Sequence, residues 1–262
     1  MRGCTGNLKR RVANGDLIIT GCVMDARSGS VVEMYHQYGY DVMMIDREHS
    51  LLSSETILEH IRLARALEFP VMVRVSDHSY DEINRTLDQA PDGIFVPRIR
   101  NRAEVERVVA MMKHPPHGVR GLGGYTCPAA KFTGWPHVRE QVAFNDEQIV
   151  VGIQIETAEA LADLDGILSV SGLDVAVVGN DDLSLGMDIV GQLDHPRYVA
   201  AVESVIAACH RHGVMPGIAC GDPARLRYWA DRGMRFFWSA SDVTLIFDAA
   251  QRQISALRQA LG

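Results

Sequence analysis

Eight short, apolar, β-branched runs recur along the chain with amphipathic patterns between them, and this alternation restricts the fold more than any other feature. The runs are Leu17 to Val23, Tyr40 to Ile45, Val71 to Val75, Gly93 to Val96, Ile149 to Ile155, Val175 to Val178, Val214 to Ile218 and Phe236 to Trp238. Between them, Ser53 to Leu67, Arg102 to Lys113, Ala158 to Val170, Tyr198 to His212 and Pro223 to Arg232 carry apolar residues at i, i+3, i+4 and i+7, the spacing of one helix face. Strands apolar on both faces that alternate with helices belong to a parallel sheet covered on both sides. Eight such units in 262 residues match the usual ~250 residues of a (β/α)8 TIM barrel. The rival, a doubly wound open sheet, would carry GxGxxG after its first strand, where this chain has the glycine-poor VMDARS.

No Pro/Ser-rich linker, charge block or low-complexity tract divides the chain, so one α/β domain over residues 1–262 is expected. A net charge of -7, with no basic cluster beyond Lys9-Arg10-Arg11, argues against a nucleic-acid partner; that cluster is expected on a solvated first helix. No apolar run is long enough to span a bilayer and no secretory signal pattern is present, so a cytoplasmic protein with no membrane partner is expected. Five widely spaced cysteines, Cys4, Cys22, Cys127, Cys209 and Cys220, lack a zinc-binding pattern and read as reduced, mostly buried thiols.

In a barrel of this kind chemistry sits where the strands end and the βα loops begin. The ends carry Asp25; Asp46, Glu48 and His49; Arg74; Arg98; Glu156; Asp182; Cys220-Gly221-Asp222; and Ser239-Ala240-Ser241-Asp242. Glu156 and Asp182 close adjacent strands, and two converging hard oxygen ligands suit Mg2+ or Mn2+. Capping of the helices that follow them is the competing explanation. Asp46 and His49 lie three residues apart, close enough for the carboxylate to orient an imidazole base, or for Asp46 to be a helix cap with an incidental histidine. Arg74, inside an apolar strand, needs carboxylate or ligand oxygens; a salt bridge to Glu156 or Asp88 would be the purely structural answer. The three lysines, Lys9, Lys113 and Lys131, all fall away from strand ends, which argues against a Schiff-base mechanism. GxSxG, P-loop and HExxH patterns are missing, so hydrolase, phosphoryl-transfer and zinc-protease chemistry lack their usual signals.

The segments YDVMMIDREHS, PVMVRVS, LDQAPDGIFVPRI, HGVRGLGG, VGIQIETAEAL, VGNDDLSLG and FFWSASDVTLI, in this order from about Gly15 to Asp248, resemble the HpcH/HpaI aldolase family. These are metal-dependent class II pyruvate aldolases on (β/α)8 barrels, among them 4-hydroxy-2-oxoheptanedioate aldolases. The resemblance implies a divalent ion (Mg2+, Mn2+ or Co2+) on Glu156 and Asp182, with Gln154 beside the pyruvoyl group. It implies Arg74 on the keto oxygen, and His49 with its partner Asp46 as catalytic residues. It further implies Asp88 completing the site within an oligomer, and the backbone amides of Gly179 and Asp181 on the pyruvate carboxylate. A hydroxide on the metal or the Asp46–His49 pair would take a methyl proton from pyruvate, and the enolate would attack an aldehyde to give a 4-hydroxy-2-oxo acid, or the reverse. The implied assembly is a homo-oligomer, commonly a hexamer.

Three departures stand out: Arg47 where the family usually has glycine, Asn180-Asp181 where it has Pro-Ala or similar, and Gly124 to Trp135, GYTCPAAKFTGW, after the RGxG turn. Arg47 and Arg98 could add positive charge at the barrel mouth for a second carboxylate on the substrate; alternatively they point to solvent or pair with Glu48 and Asp92. Three functions compete: an aldolase; a relative using the same enolate for oxaloacetate decarboxylation or a citrate-synthase-like condensation; and a barrel that binds a keto acid without turning it over.

Overall fold

The structure, a computed structural model, describes residues 7–123 and 135–261. Its centre is a closed barrel of eight parallel strands in sequential order: β1 Ile18–Val23, β2 Val42–Asp46, β3 Val71–Arg74, β4 Gly93–Val96, β5 Val150–Ile155, β6 Val175–Val178, β7 Met215–Ala219 and β8 Phe236–Ser241. The helices, in chain order, are α1 Asn7–Asn14, α2 Ser30–Gln37, α3 Ser54–Ala66, α4 Tyr80–Asp88, α5 Arg102–Met112, α6 Trp135–Gln148, α7 Ala158–Ala162, α8 Leu164–Leu168, α9 Asn180–Gly186, α10 Pro196–His212, α11 Pro223–Ala230 and α12 Asp242–Leu261. The expected (β/α)8 barrel is therefore the observed fold, with each of the eight apolar runs contributing one strand.

Side chains along a strand alternate in direction, and this period of two sorts the core. Met44, Met72, Phe95, Val177 and Phe236 meet inside the barrel, whereas Ile45, Val73, Ile94, Val178 and Phe237 pack outward against helices. Gly152 makes room for one large interior ring: a Cβ there would lie 2.4 Å from Phe95 Cε1. Phe95 in turn sits 5.3 Å, centroid to centroid, from Phe236. The interior is a filled layer, and the layer above it is left for chemistry.

Three local expectations are corrected. The Lys9-Arg10-Arg11 helix is not simply solvated: α1 lies across the N-terminal end of the barrel, burying Leu8 and Val12 in the interior cluster. Lys9 bonds Asp174 at 2.6 Å and Arg11 bonds Asp41 at 2.7 Å. The segment Ala158 to Val170 is two short helices rather than one. The break falls at Asp163 (φ -118°, ψ 30°), whose carboxylate accepts from the Arg102 amide at 2.9 Å and leaves Gly166 no room for a Cβ. β8 runs three residues beyond Trp238, with a register shift against β1 between Thr20 and Cys22.

Cys22, Cys209 and Cys220 are buried free thiols; Cys4, Cys127, Lys131 and the departing stretch 124–134 lie outside the described residues. Among the described residues no helix is long and apolar enough to cross a membrane.

Candidate active site

Inward parity carries polar residues to the C-terminal mouth of the barrel one layer above Met44, Met72 and Phe95. Asp46 ends β2, Arg74 ends β3, Gln154 stands near the end of β5, and Trp238 projects inward from β8. These four line one cavity of about 270 Å3 together with His49, Glu156, Gly179, Asn180, Asp181 and Asp182. Eight of the nine residues expected at the site thus surround one space. The ninth, Asp88, lies at the far end of α4, where it binds the buried Arg120 guanidinium at 3.0 Å and takes no part in this cavity.

Asp46 and Arg74 are opposite each other in the β2–β3 register. Arg74 Nε donates to Asp46 Oδ1 at 2.9 Å and its NH2 to Oδ2 at 2.5 Å, a two-point contact between a fully buried carboxylate and a nearly buried guanidinium. Arg74 NH1 reaches Glu48 at 3.2 Å and, more weakly, Gln154 Oε1 at 3.4 Å. The Trp238 ring lies 4.9 Å from the guanidinium carbon, supporting it by a cation–π contact. Burial works against the Arg74 charge, but its bonds to Asp46 outweigh that and raise its pKa further.

The expected Asp46–His49 pair does not form. Asp46 spends Oδ1 on the backbone amides of Glu48 (2.9 Å) and His49 (3.3 Å), shaping the turn, while its carboxylate faces Arg74. The His49 ring stands out into the mouth, its side chain 58% exposed, with Glu48 as acidic neighbour at 3.7 Å. Arg74 likewise pairs with neither Glu156 nor Asp88. Arg47 turns away from the mouth to bind Glu82 on α4 at 3.0 Å, so neither the added-charge expectation nor a pairing with Glu48 or Asp92 holds for it. Arg98 does remain at the mouth, 3.4 Å from Asp182, on a side chain 64% exposed.

Glu156 is the most perturbed acid here. It follows β5 directly, is 5% exposed, and accepts one hydrogen bond at Oε1, from the Arg98 amide at 2.6 Å. Burial pushes its pKa up to about 7; the Arg98 amide opposes this, and the negative charges of Glu48 and Asp182 add to it. Capping does not explain the residue, because Thr157 caps α7 with its own side chain. Nor does capping explain Asp182: Gly179 is the N-cap of α9, and Asp182 stands in the first turn with its side chain 40% exposed. Gly179 is required by Glu156, since a Cβ there would lie 2.1 Å from Glu156 Oε2. Its amide donates to Ile155 O at 3.2 Å, which leaves the amide of Asp181, in the first turn of α9, as the better placed of the two expected anion donors.

Two adjacent carboxylates, one deeply buried and destabilised by the other's charge, fit a hard divalent cation. Among the described residues no three His, Cys, Asp or Glu side chains converge closely enough to hold an ion, so the chain itself would offer two carboxylates and leave the remaining positions to water and substrate.

Sequence reasoning missed Trp238 as the support of Arg74, although it shares inward parity with Phe236. Asn180 stood out only as a departure from the family pattern, with no role attached, and Tyr198, its partner on α10, carried no signal in the sequence.

The HpcH/HpaI aldolase/citrate lyase family model matches residues 20–249, nearly the whole barrel. The chain belongs to the HpcH/HpaI family. It is accordingly a carbon–carbon lyase. Its relatives include the 4-hydroxy-2-oxo-heptane-1,7-dioate aldolase of Salmonella typhimurium, 30% identical over 81% of this chain and 80% of the relative. The solved HpcH/HpaI aldolase of Desulfitobacterium hafniense is 26% identical with a TM-score of 0.89, covering 96% of each chain. The citrate synthase SbnG is also 26% identical, with a TM-score of 0.86 over 97% of this chain and 98% of that one.

Proposed function

We propose that residues 1–262 act as one divalent-metal-dependent aldolase unit that reversibly cleaves a 4-hydroxy-2-oxo acid to pyruvate and an aldehyde. The observation that carries this reading is the buried Glu156 beside Asp182, two carboxylates with no guanidinium among the described residues at ion-pair distance from Glu156, at the mouth that also holds Arg74 and Gln154. A bound Mg2+, Mn2+ or Co2+ would supply the Lewis acidity that makes the methyl group of a 2-oxo acid easier to deprotonate.

The chain's own residues would then act as follows. Glu156 and Asp182 hold the ion, and the Asp181 amide meets the pyruvate carboxylate. Arg74, fixed on one side by Asp46 and on its face by Trp238, directs NH1 to the keto oxygen and stabilises the charge that develops there. Gln154 borders the pyruvoyl group, its weak 3.4 Å contact with Arg74 being readily exchanged for substrate. His49 Nε2, beside Glu48 rather than Asp46, takes the methyl proton. Asp88 would act from a neighbouring copy, at the assembled surface. The setting is the cytoplasm and the partners are pyruvate and an aldehyde, with no nucleic acid or membrane.

The test is exchange of the pyruvate methyl protons in deuterated water with added Mg2+, Mn2+ or Co2+. Exchange that vanishes on chelation and in Glu156→Ala and Asp182→Ala is expected; none with any of the three ions would sink the enolate chemistry. A second reading, citrate-synthase-like condensation or oxaloacetate decarboxylation on the same enolate, is favoured by the likeness to the citrate synthase SbnG. Turnover of oxaloacetate, with and without acetyl-CoA, separates it from the aldolase.

A further inference from the structure

We propose that Asn180 is a positioning residue which, through Tyr198 and the end of β7, sets where α9 presents Asp182 and the Asp181 amide to the proposed cation and carboxylate. The inference rests on the reading above.

Helix α9 has only seven residues, and its N-cap, Gly179, has no side chain with which to hold the first turn. On six other helices that role falls to a capping side chain: Ser53 on α3, Ser79 on α4, Asn101 on α5, Thr157 on α7, His195 on α10 and Asp222 on α11, whereas α2 and α8, like α9, have no such bond. A glycine is forced at position 179 by the approach of Glu156, so the usual solution is unavailable. Packing holds the later part of the helix, through the buried Leu183 and Ser184, rather than its first residue. Behind Asn180 lies a second cavity of about 300 Å3, walled by Leu193, Tyr198, Ile218 and Trp229, and Asn180, Ala219 and Ser239 line both cavities.

What anchors the turn is the Asn180 amide. Its Nδ2 donates to the Ala219 carbonyl at the end of β7, and its Oδ1 accepts from the Tyr198 hydroxyl on α10 at 2.6 Å. A carbonyl can only accept, so the amide can be satisfied in one orientation alone. Tyr198 is 1% exposed, and burial pushes its phenol up, so it remains a donor throughout the range in which an aldolase works. Two fixed elements, β7 and α10, therefore hold the first turn of α9 two residues before Asp182. The neighbour of the anchored turn is a charged group whose position must be accurate, and supporting contacts of this kind typically change ion affinity 10–100-fold when removed.

The measurement is Mn2+ affinity, followed with the metal alone by its electron paramagnetic resonance signal, alongside amide hydrogen exchange, in the wild type, Asn180→Ala and Tyr198→Phe. Asn180→Ala is expected to weaken Mn2+ binding about 10-fold or more and to speed exchange within residues 180–186 while the other strands and helices keep their protection. Tyr198→Phe, which removes a single hydroxyl, is expected to move both readings in the same direction by less. Faster local exchange with unchanged Mn2+ affinity in both variants would overturn the inference, as would a general loss of protection across the barrel without a local effect. A wild type that binds no Mn2+ would sink the cation reading and this inference together, whereas wild-type binding matched by both variants would overturn the inference alone.

Discussion

At the scale of single residues, the site is organised by which carboxylates have a cationic partner and which do not. Asp46 has one, in Arg74, and is fully buried. Removing Arg74 would strand that charge, so Arg74→Ala is expected to destabilise the fold by roughly 3–5 kcal/mol in addition to abolishing activity. His49→Ala, by contrast, removes an exposed ring and is expected to lower turnover 10²–10⁴-fold, about the effect of a lost acid/base group, with little change in melting temperature; a large loss of stability would contradict the placement of His49 in the open mouth. Among the described residues Glu156 has no cationic partner within bonding distance, and its pKa is pushed up to about 7, above the usual 4.5 of an unfolded glutamate. The folded, metal-free protein therefore holds this proton more tightly than the unfolded chain. Its contribution is fully present below the unfolded value and is lost as pH rises from about 4.5 to about 7, amounting to at most ~3.5 kcal/mol at ~1.4 kcal/mol per unit. Urea unfolding across that window should show a declining midpoint for the metal-free wild type and a flatter profile for Glu156→Gln. Gly179→Ala should be as damaging as loss of Glu156 itself, because the new methyl and the carboxylate cannot occupy the same place; an unchanged Mn2+ affinity in that variant would show that the two do not compete.

At the scale of elements, the strands were readable in the sequence because a parallel barrel buries both faces, and that makes each strand a continuous apolar run. β4 and β6 coincide with their runs, and the other boundaries shift by a few residues at most. Period two then carried Asp46, Arg74 and Gln154 inward without further information. What the sequence could not yield was pairing. Asp46 could as well have faced His49 as Arg74, and only the β2–β3 register, which places Asp46 opposite Arg74, decides between a three-residue spacing and a cross-strand contact. Arg47 is the same lesson with the opposite outcome: adjacent to Asp46, it has the other parity and so leaves the mouth for Glu82. Asp242 shows a further kind of hidden pairing. At the start of α12 it accepts from the amides of Met24 (2.9 Å), Asp25 (3.0 Å) and Ala26 (2.6 Å), joining the last strand's exit to the first strand's loop. Asp242→Ala would leave three amides without their acceptor at about 1–3 kcal/mol for each one that stays buried. Thermal unfolding should show a large drop, and hydrogen exchange should place the loosening at residues 24–26 rather than at β4 or β5.

At the scale of the whole molecule, α12 is the element the barrel does not account for. It is 20 residues long, about 30 Å at 1.5 Å per residue, and of its residues Asp242 alone is buried. Val243, Ile246, Phe247, Ala250, Ile254, Leu257 and Leu261 recur at intervals of three and four, which gathers them into one stripe along the helix. Such a stripe, with Ile246 69% and Phe247 65% exposed, is a poor surface for an isolated chain in water and a good one for association. The proposed homo-oligomer, a hexamer in the resemblance, would cover it, and the same assembly is what Asp88 needs if it is to act on a neighbour's site, since in its own chain it is committed to Arg120 away from the mouth. The double substitution Ile246→Asp with Phe247→Asp is therefore expected to reduce the sedimentation coefficient to that of a smaller species while circular dichroism stays that of a folded barrel. Turnover should fall in this variant and in Asp88→Ala alike, while Mn2+ affinity, set by Glu156 and Asp182 within one chain, should hold in both. A dissociated variant with full turnover would show that one barrel suffices and that Asp88 does its work within Arg120's salt bridge alone.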